Sequence, residues 1–347
     1  MSQSESGNLD SFNQYPKPRI GITIGDPSGI GPEIVLKAVS DESVRSIVDI
    51  ILVGSRALLI STSKALGLDL EFADAVSIDS RPGVLTIRDP GGLPDSAPAG
   101  RESAESGFAA ARCIETAVAM WHSGEIDAIS TAPISKNALA LAGYKYPGHT
   151  EFLAELTATT EFAMSFFAEP LRVVLLSTHL SLLDAIDAVK SDALVKLISF
   201  ANAQLSQLLR REVRLAVAGL NPHASEGGMF GTEEADEIIP AIEHCRNHHG
   251  IDVSGPFSSD TIFLRAYRGE FDAVIACYHD QATIAVKCLS FGSAVNVTLG
   301  LPLIRTSVDH GTAFDIAGKG VADASSMKAA LQTAARLVEL SRDPFLI

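Results

Sequence analysis

Nine histidines are spread along this 347-residue chain, and three of them share a placement. His179 closes the run RVVLLSTH, His223 closes RLAVAGLNPH, and His279 closes DAVIACYH. Each follows an apolar, strand-like run by a few residues. In an open parallel sheet the carboxyl ends of the strands line one edge, and ligands bind there. Three imidazoles converging on that edge suit a divalent transition metal with positions left open for substrate. Taken singly, each also reads as a loop cap or a satisfied, partly buried side chain, and the gaps between them are far wider than in a compact metal motif. His122, His244, His248 and His249 fall at helix ends or in loops, where exposure and the negative helix C-terminus account for them.

Other residues could hold an anion. In YPGHTE, residues 146–151, Gly148 makes a turn and His149 or Thr150 opens a helix. Thr150 can serve as the N-cap. Alternatively, a histidine beside a hydroxyl at a helix start can hold a substrate carboxylate or phosphate. Lys287, Asn296 and Arg305 form a basic, hydrogen-bonding set suited to phosphate, with the guanidinium giving two-point geometry. As isolated residues they read as surface groups. GDPSGIGPE, residues 25–33, follows a strand and opens a helix, with Pro32 at a favourable first-turn position. It is neither a Walker A loop nor G-x-G-x-x-G. An anion at the helix start and a plain strand-to-helix turn both fit it.

The elements that must position these residues alternate. Strands are predicted at residues 19–24, 48–53, 128–131, 173–177, 213–218, 273–277 and 294–299. Helices are predicted at 32–39, 57–66, 103–122, 152–158, 192–209, 233–247, 261–267 and 326–340, and 89–100 reads as a long Gly/Pro-rich loop. This order predicts parallel sheet covered on both faces, an α/β fold in three α/β/α layers. The length fits about two domains at roughly 150 residues each. No low-complexity linker divides the chain, so the second domain is expected as an insertion. The first domain is expected over residues 17–133 with 289–347 and the second over 134–288, with the site expected in the cleft between them, and 1–16 are expected to be a disordered tail.

Composition narrows the class. With 46% hydrophobic and 20% charged residues, the chain is neither disordered, fibrous nor a disulfide miniprotein. Its 27 basic and 42 acidic residues leave a net charge of −15, which disfavours nucleic acid yet allows a local basic pocket. The four cysteines form no CxxC pair, as expected of reduced thiols in a cytoplasm. No leader and no apolar run of about 18 residues is present, so a cytoplasmic protein without membrane contact is expected.

GDPSGIGPE, TAPISK, GHTEFLAE, LNPHASEGGMFG, YHDQ and VNVTLGLPLIRTSVDHGTAFDIAGKG occur in this order over roughly residues 18–330. Together they resemble the 4-hydroxythreonine-4-phosphate dehydrogenase family of vitamin B6 biosynthesis, with its threonate/erythronate-4-phosphate dehydrogenase paralogues. YPGHTE and TAFDIAGKG look more like the paralogous branch. The 305–320 block also resembles the nucleotide loop of isopropylmalate and isocitrate dehydrogenases, which share the family's fold.

The resemblance implies metal-dependent, NAD(P)-linked oxidation of 4-phosphooxy-L-threonine, or of D-threonate or D-erythronate 4-phosphate, followed by decarboxylation. It implies one divalent ion (Zn, Co, Mg or Mn) on His179, His223 and His279, with His179 from the partner subunit of a homodimer. Substrate contacts fall on His149, Thr150, Lys287, Asn296 and Arg305. The nucleotide, NAD or NADP, falls on His310, Gly311, Thr312, Ala313, Asp315 and Gly318. Lys287, Asp260 and Asp280 are the catalytic candidates, the two carboxylates as partners of the ligands or proton carriers. Asp260 reads equally well as an N-cap before Thr261. Two small departures from the family's pattern, Ser225 within NPHAS and Ala282 after HDQ, bear on substrate shape.

Overall fold

The computed structural model describes residues 15–74, 84–290 and 292–342. The predicted tail therefore lies outside the described residues up to residue 14, and Pro16 is held by a bond from Arg342 Nη1 to its carbonyl (2.6 Å).

β-Branched and aliphatic runs supply most of the strands. In chain order they are β1 (Arg19–Thr23), β2 (Asp49–Val53), β3 (Glu71–Asp74), β4 (Val84–Arg88), β5 (Ala128–Thr131), β6 (Ala163–Ala168), β7 (Leu171–Leu175), β8 (Leu215–Ala218), β9 (Val253–Phe257), β10 (Ala273–Ala276), β11 (Val295–Leu299) and β12 (Ile304–Ser307). All join one sheet in the order β3-β4-β2-β1-β5-β12-β11-β6-β7-β10-β8-β9.

The pairing is parallel within two blocks that run in opposite directions. β3 through β12 in that order form one block, and β7-β10-β8-β9 the other. Between them β11 and β6 pair antiparallel with each other and with their neighbours. The sequence pattern predicted parallel pairing alone and missed β3, β4, β6, β9 and β12. β6 follows β7's hairpin partner rule: only a short turn joins β6 to β7, and a short connection forces antiparallel pairing. β12 carries a charged Arg305 in its centre, which hides it from a hydrophobic-run reading.

Both faces are covered. On β8 and β10, Leu215, Val217, Ala273 and Ile275 enter a core under the helices Ser191–Leu209 and Ile239–His249. Their alternates Ala216, Ala218, Val274 and Ala276 enter another core under Ser259–Tyr267 and His279–Leu289. Such alternation into two cores is the three-layer arrangement. The first block shares a separate core running from Ile20 through Val338. Among the described residues no helix is long and apolar enough to cross a membrane.

Candidate functional site

The antiparallel seam forms the floor of a cleft of about 810 Å³. In register, Ser307 of β12 faces Asn296 of β11, which faces Phe166 of β6, and all three line the cleft. Arg305 stands two residues back on the same face of β12.

Arg305 is 3% exposed. Its Nη1 donates to Thr298 Oγ1 (3.1 Å) and its Nη2 to Thr131 Oγ1 (2.8 Å), so neighbouring strands on both sides fix the guanidinium. Its Nε has no partner. Burial pulls the guanidinium pKa down to about 10, with the Glu151 charge acting in the opposite sense. It therefore stays charged at neutral pH, buried and bonded only to neutral hydroxyls. Charged groups in that state call for an anion.

Three more polar ends in the cleft, His149 Nε2, Asn296 Oδ1 and His310 Nε2, are buried without a hydrogen-bond partner. Burial first, and then the Arg305 charge, push the His149 pKa well below its ordinary value, so its ring is neutral. His149 opens the helix His149–Leu156, whose N-cap is Gly148. Thr150 lines the cleft inside the first turn, so it is not the cap. Lys136, Glu151 and Asp309 also line the cleft and were not singled out in the sequence; only the TAPISK motif signalled Lys136.

On the other wall, His179 follows β7 and His279 follows the adjacent β10, and their ring centroids lie 6.0 Å apart. Asp280 Oδ1 sits 2.7 Å from His279 Nδ1, which leaves Nε2 free to ligate a metal. Burial, then the Lys136 and His279 charges, lower the His179 pKa and favour the neutral, ligating ring. These two rings fit a transition cation.

His223 does not line the cleft. It lies in the turn Pro222–Glu226, with its ring 6.5 Å from that of Phe230. His223, Ala224, Ser225 and Glu226 are all left-handed, with φ of 54°, 51°, 64° and 46°. Each such non-glycine residue costs roughly 1–2 kcal/mol. A clamp holds the turn: Asn221 donates its N–H to Glu234 Oε1 (2.7 Å) and Nδ2 to Glu233 and Glu234. Among the described residues no three His, Cys, Asp or Glu side chains are already arranged to hold a metal. Lys287 is exposed, eight residues along the helix from His279 and so roughly 12 Å along its axis. Asp260 is also exposed and outside the cleft; Ser258 is the N-cap of its helix and donates its hydroxyl to Asp260 Oδ1 (2.6 Å).

The loop after β12 is braced from behind. His310 and Gly311 line the cleft. Ile30 N–H donates to the Thr312 carbonyl (2.9 Å), and a Cβ on Gly29 would stand 2.9 Å from that oxygen. Gly100 N–H donates to the Ser28 carbonyl, and a Cβ on Gly318 would meet Ala99 at 2.9 Å. Ala313 has a φ of 42°, and Asp315 and Gly318 are exposed. The Ser28 N–H is taken by buried Asp26 (2.8 Å), which also accepts from Ser106 Oγ (3.2 Å). The GDPSG turn thus supports the 310–318 loop, and its amides are committed inside the protein. The buried, unpartnered His310 Nε2 and the open face of Gly311 fit a nucleotide lying against this loop.

A three-layer α/β protein with a charged, anion-competent cleft beside two ligand-ready imidazoles is the class that fold and site define. Comparison with known proteins sharpens it. Residues 46–334 match the family described as Pyridoxal phosphate biosynthetic protein PdxA. The chain is 45% identical over 324 residues to the D-threonate 4-phosphate dehydrogenase of Cupriavidus necator, covering 92% of this chain and 97% of that one. It is 43% identical over 330 residues to the 4-hydroxythreonine-4-phosphate dehydrogenase of Trichlorobacter lovleyi, covering 93% and 98%. The crystal structure of a 4-hydroxythreonine-4-phosphate dehydrogenase from Burkholderia phymatum superposes with a TM-score of 0.81 at 43% identity, covering 93% and 99%. The chain belongs to the PdxA family and is an oxidoreductase.

Proposed function

We propose that this enzyme catalyses the metal-dependent, NAD(P)-linked oxidation of 4-phosphooxy-L-threonine to 2-amino-3-oxo-4-phosphooxybutanoate. That product decarboxylates to 3-amino-2-oxopropyl phosphate, on the route to pyridoxal phosphate. The observation that carries the reading is Arg305: buried, charged and bonded only to threonine hydroxyls beside unpartnered His149 and Asn296. A phosphate would accept from the Arg305 guanidinium and the His149 ring at once, a fixed guanidinium would orient it, and Asn296 Oδ1 is left to accept from a substrate hydroxyl or amine.

In this reading His149 stays neutral, so it donates to phosphate without adding a titrating charge, and Thr150 donates from the same helix turn. Lys136 stands at the cleft wall to meet the substrate carboxylate. His179 and His279 would hold the divalent ion with His223, and Asp280 fixes the tautomer of His279. When bound, the divalent ion would supply Lewis-acid chemistry at the substrate oxygen and the nucleotide would supply the hydride acceptor. His310, Gly311 and Thr312–Gly318 would carry the nucleotide, held in place by the GDPSG turn.

The same reading includes a homodimer. Leu180, Leu182 and Leu183, just after His179, are 53%, 60% and 76% exposed, and Ile284 on the Lys287 helix is 64% exposed. Apolar exposure of this kind beside a cleft supports a partner surface. A second copy seated there would set His179 of one subunit against His223 and His279 of the other, with Lys287 and Asp260 alongside. Separate cores on the two sides of the seam support two domains, but Leu139, Phe152 and Leu153 pack in the first core and Val295, Val297 and Leu299 in the second, so the cores do not divide at residues 133/134 and 288/289.

A second reading, D-threonate or D-erythronate 4-phosphate oxidation giving dihydroxyacetone phosphate, is favoured by the 45% identity to a D-threonate 4-phosphate dehydrogenase. It calls on the same residues, with a hydroxyl where the first substrate carries its amine. The test is NAD(P)H formation by metal-loaded enzyme on the three substrates. Preference for the amino substrate sustains the first reading, preference for the sugar-acid phosphates the second, and turnover of none overturns both.

A further inference from the structure

Away from the cleft, three imidazoles crowd the last turn of the helix Ile239–His249. His244 and His248 are four residues apart, so they share one helix face. Their ring centroids are 4.7 Å apart, and the His249 ring stands 5.1 Å from His244. All three are exposed. The Ser199 hydroxyl, on the neighbouring helix Ser191–Leu209, bonds His249 Nδ1 at 2.9 Å and leaves only Nε2 of that ring free.

We propose that His244 and His248 chelate a borderline transition cation of the copper(II), nickel(II) or zinc(II) class, with His249 as a third ligand. Imidazole nitrogen is the ligand these cations favour. The cation would also sit at the negative end of the helix dipole, where positive charge is stabilised. The ion pair that involves a histidine among the described residues is His279–Asp280, so no carboxylate is bound to these three rings. Because no three such groups already form a cage among the described residues, the chelate closes by rotation of exposed side chains, which restricts it to weaker, exchangeable binding than a prebuilt site. The Ser199 bond supplies what metal-binding histidines ordinarily have, a partner on the second ring nitrogen. With His249 engaged, the cation would tie the end of one helix to its neighbour.

The site is separate from the cleft, and the experiment keeps them apart. Metal-free full-length protein is titrated with Cu²⁺ by calorimetry and electron paramagnetic resonance, as wild type, as His179→Ala/His279→Ala and as His244→Ala/His248→Ala. The expected result is a binding step with multiple nitrogen ligands that survives in the cleft variant and is lost in the helix variant. Zn²⁺ should bind the same step more weakly. Amide exchange over residues 243–250 should slow on loading, and dehydrogenase activity should be unchanged in the helix variant. Binding of unchanged stoichiometry and affinity in His244→Ala/His248→Ala overturns the proposal. So does a cleft variant that takes up no Cu²⁺ at all.

Discussion

The two walls of the cleft are built to different degrees of completeness. On the β12 side, Arg305 is buried and locked by Thr131 and Thr298, and the 310–318 loop is braced by the GDPSG turn. Every part of that wall lies within one chain. On the β7–β10 side, His179 and His279 reach the cleft, while His223, Lys287 and Asp260 stay outside it and three leucines face outward. An anion site can be made from one sheet, because neighbouring strands hold their side chains in register. In the proposed reading the wall that meets the chemistry is the one a second copy would close, and catalysis would then depend on assembly.

The largest effect that would test this contrast comes from the histidines. His279→Ala should lower kcat by about a thousandfold, the scale of several kcal/mol for a lost Lewis-acid site, with an unchanged circular dichroism spectrum. Full activity in that variant, or in metal-stripped enzyme, would break the proposed metal wall. On the other wall, Arg305→Lys should raise the KM by about tenfold to a hundredfold, the cost of roughly 1.5–3 kcal/mol for a charged hydrogen bond, and change kcat less. Steady-state kinetics at saturating nucleotide reads the split, and an unchanged KM would remove Arg305 from the phosphate site.

Leu183→Asp probes whether the open wall is closed by a second copy. Burial of that side chain contributes roughly 1.5–3 kcal/mol per subunit, so analytical ultracentrifugation should show weakened self-association, and activity should fall on dilution. A monomeric wild type with full activity would refute the shared-site reading.

Two smaller effects are expected within a single chain. His149 is depressed well below the ordinary value of 6.5, so the unfolded state binds a proton more readily. Stability should therefore fall as pH drops below about 6.5, and it is unaffected by this group above that. His149→Asn should flatten that acid slope in urea unfolding measured across the range; an unaltered slope would show that His149 titrates normally. Last, Ala224 sits at φ 51° and ψ 52° in the His223 turn. Ala224→Gly should stabilise the fold by about 1 kcal/mol by relieving the left-handed strain. A destabilised variant would mean that the added chain freedom of glycine outweighs the relief of strain.

Much of the fold could be read from local pattern. β10 is an uninterrupted apolar run and β1, β2 and β5 are short runs dominated by aliphatic and β-branched residues, and the helices Arg56–Ala65, Ala104–His122 and Ser191–Leu209 fall where the sequence pattern predicts them. The missed elements are the ones whose burial is set from outside. β12 holds an arginine that only a cleft explains, and β3 is an exposed edge strand. The helix His279–Leu289 begins on the histidine itself, which had read as a loop residue after a strand.

The candidate site divides in the same manner. His179 and His279 were legible because each follows an apolar strand run, His149 because it opens a helix after a glycine turn, and Asn296 and Arg305 because they stand in a distinctive motif block; the structure places all five on one cleft. Thr131 and Thr298 were not, because a threonine in a strand looks like strand propensity until a guanidinium is found between two of them. The sequence by itself determined which residues are able to do chemistry and that strands and helices alternate, since both depend on residue type and short spacing. Only the tertiary structure decided that two oppositely running blocks meet at an antiparallel seam, that the seam becomes the cleft floor, and that His223 and Lys287 stand apart from it. Those outcomes depend on strand pairing between residues more than a hundred positions apart, such as Arg305 with Ile129, and no local pattern encodes such pairing.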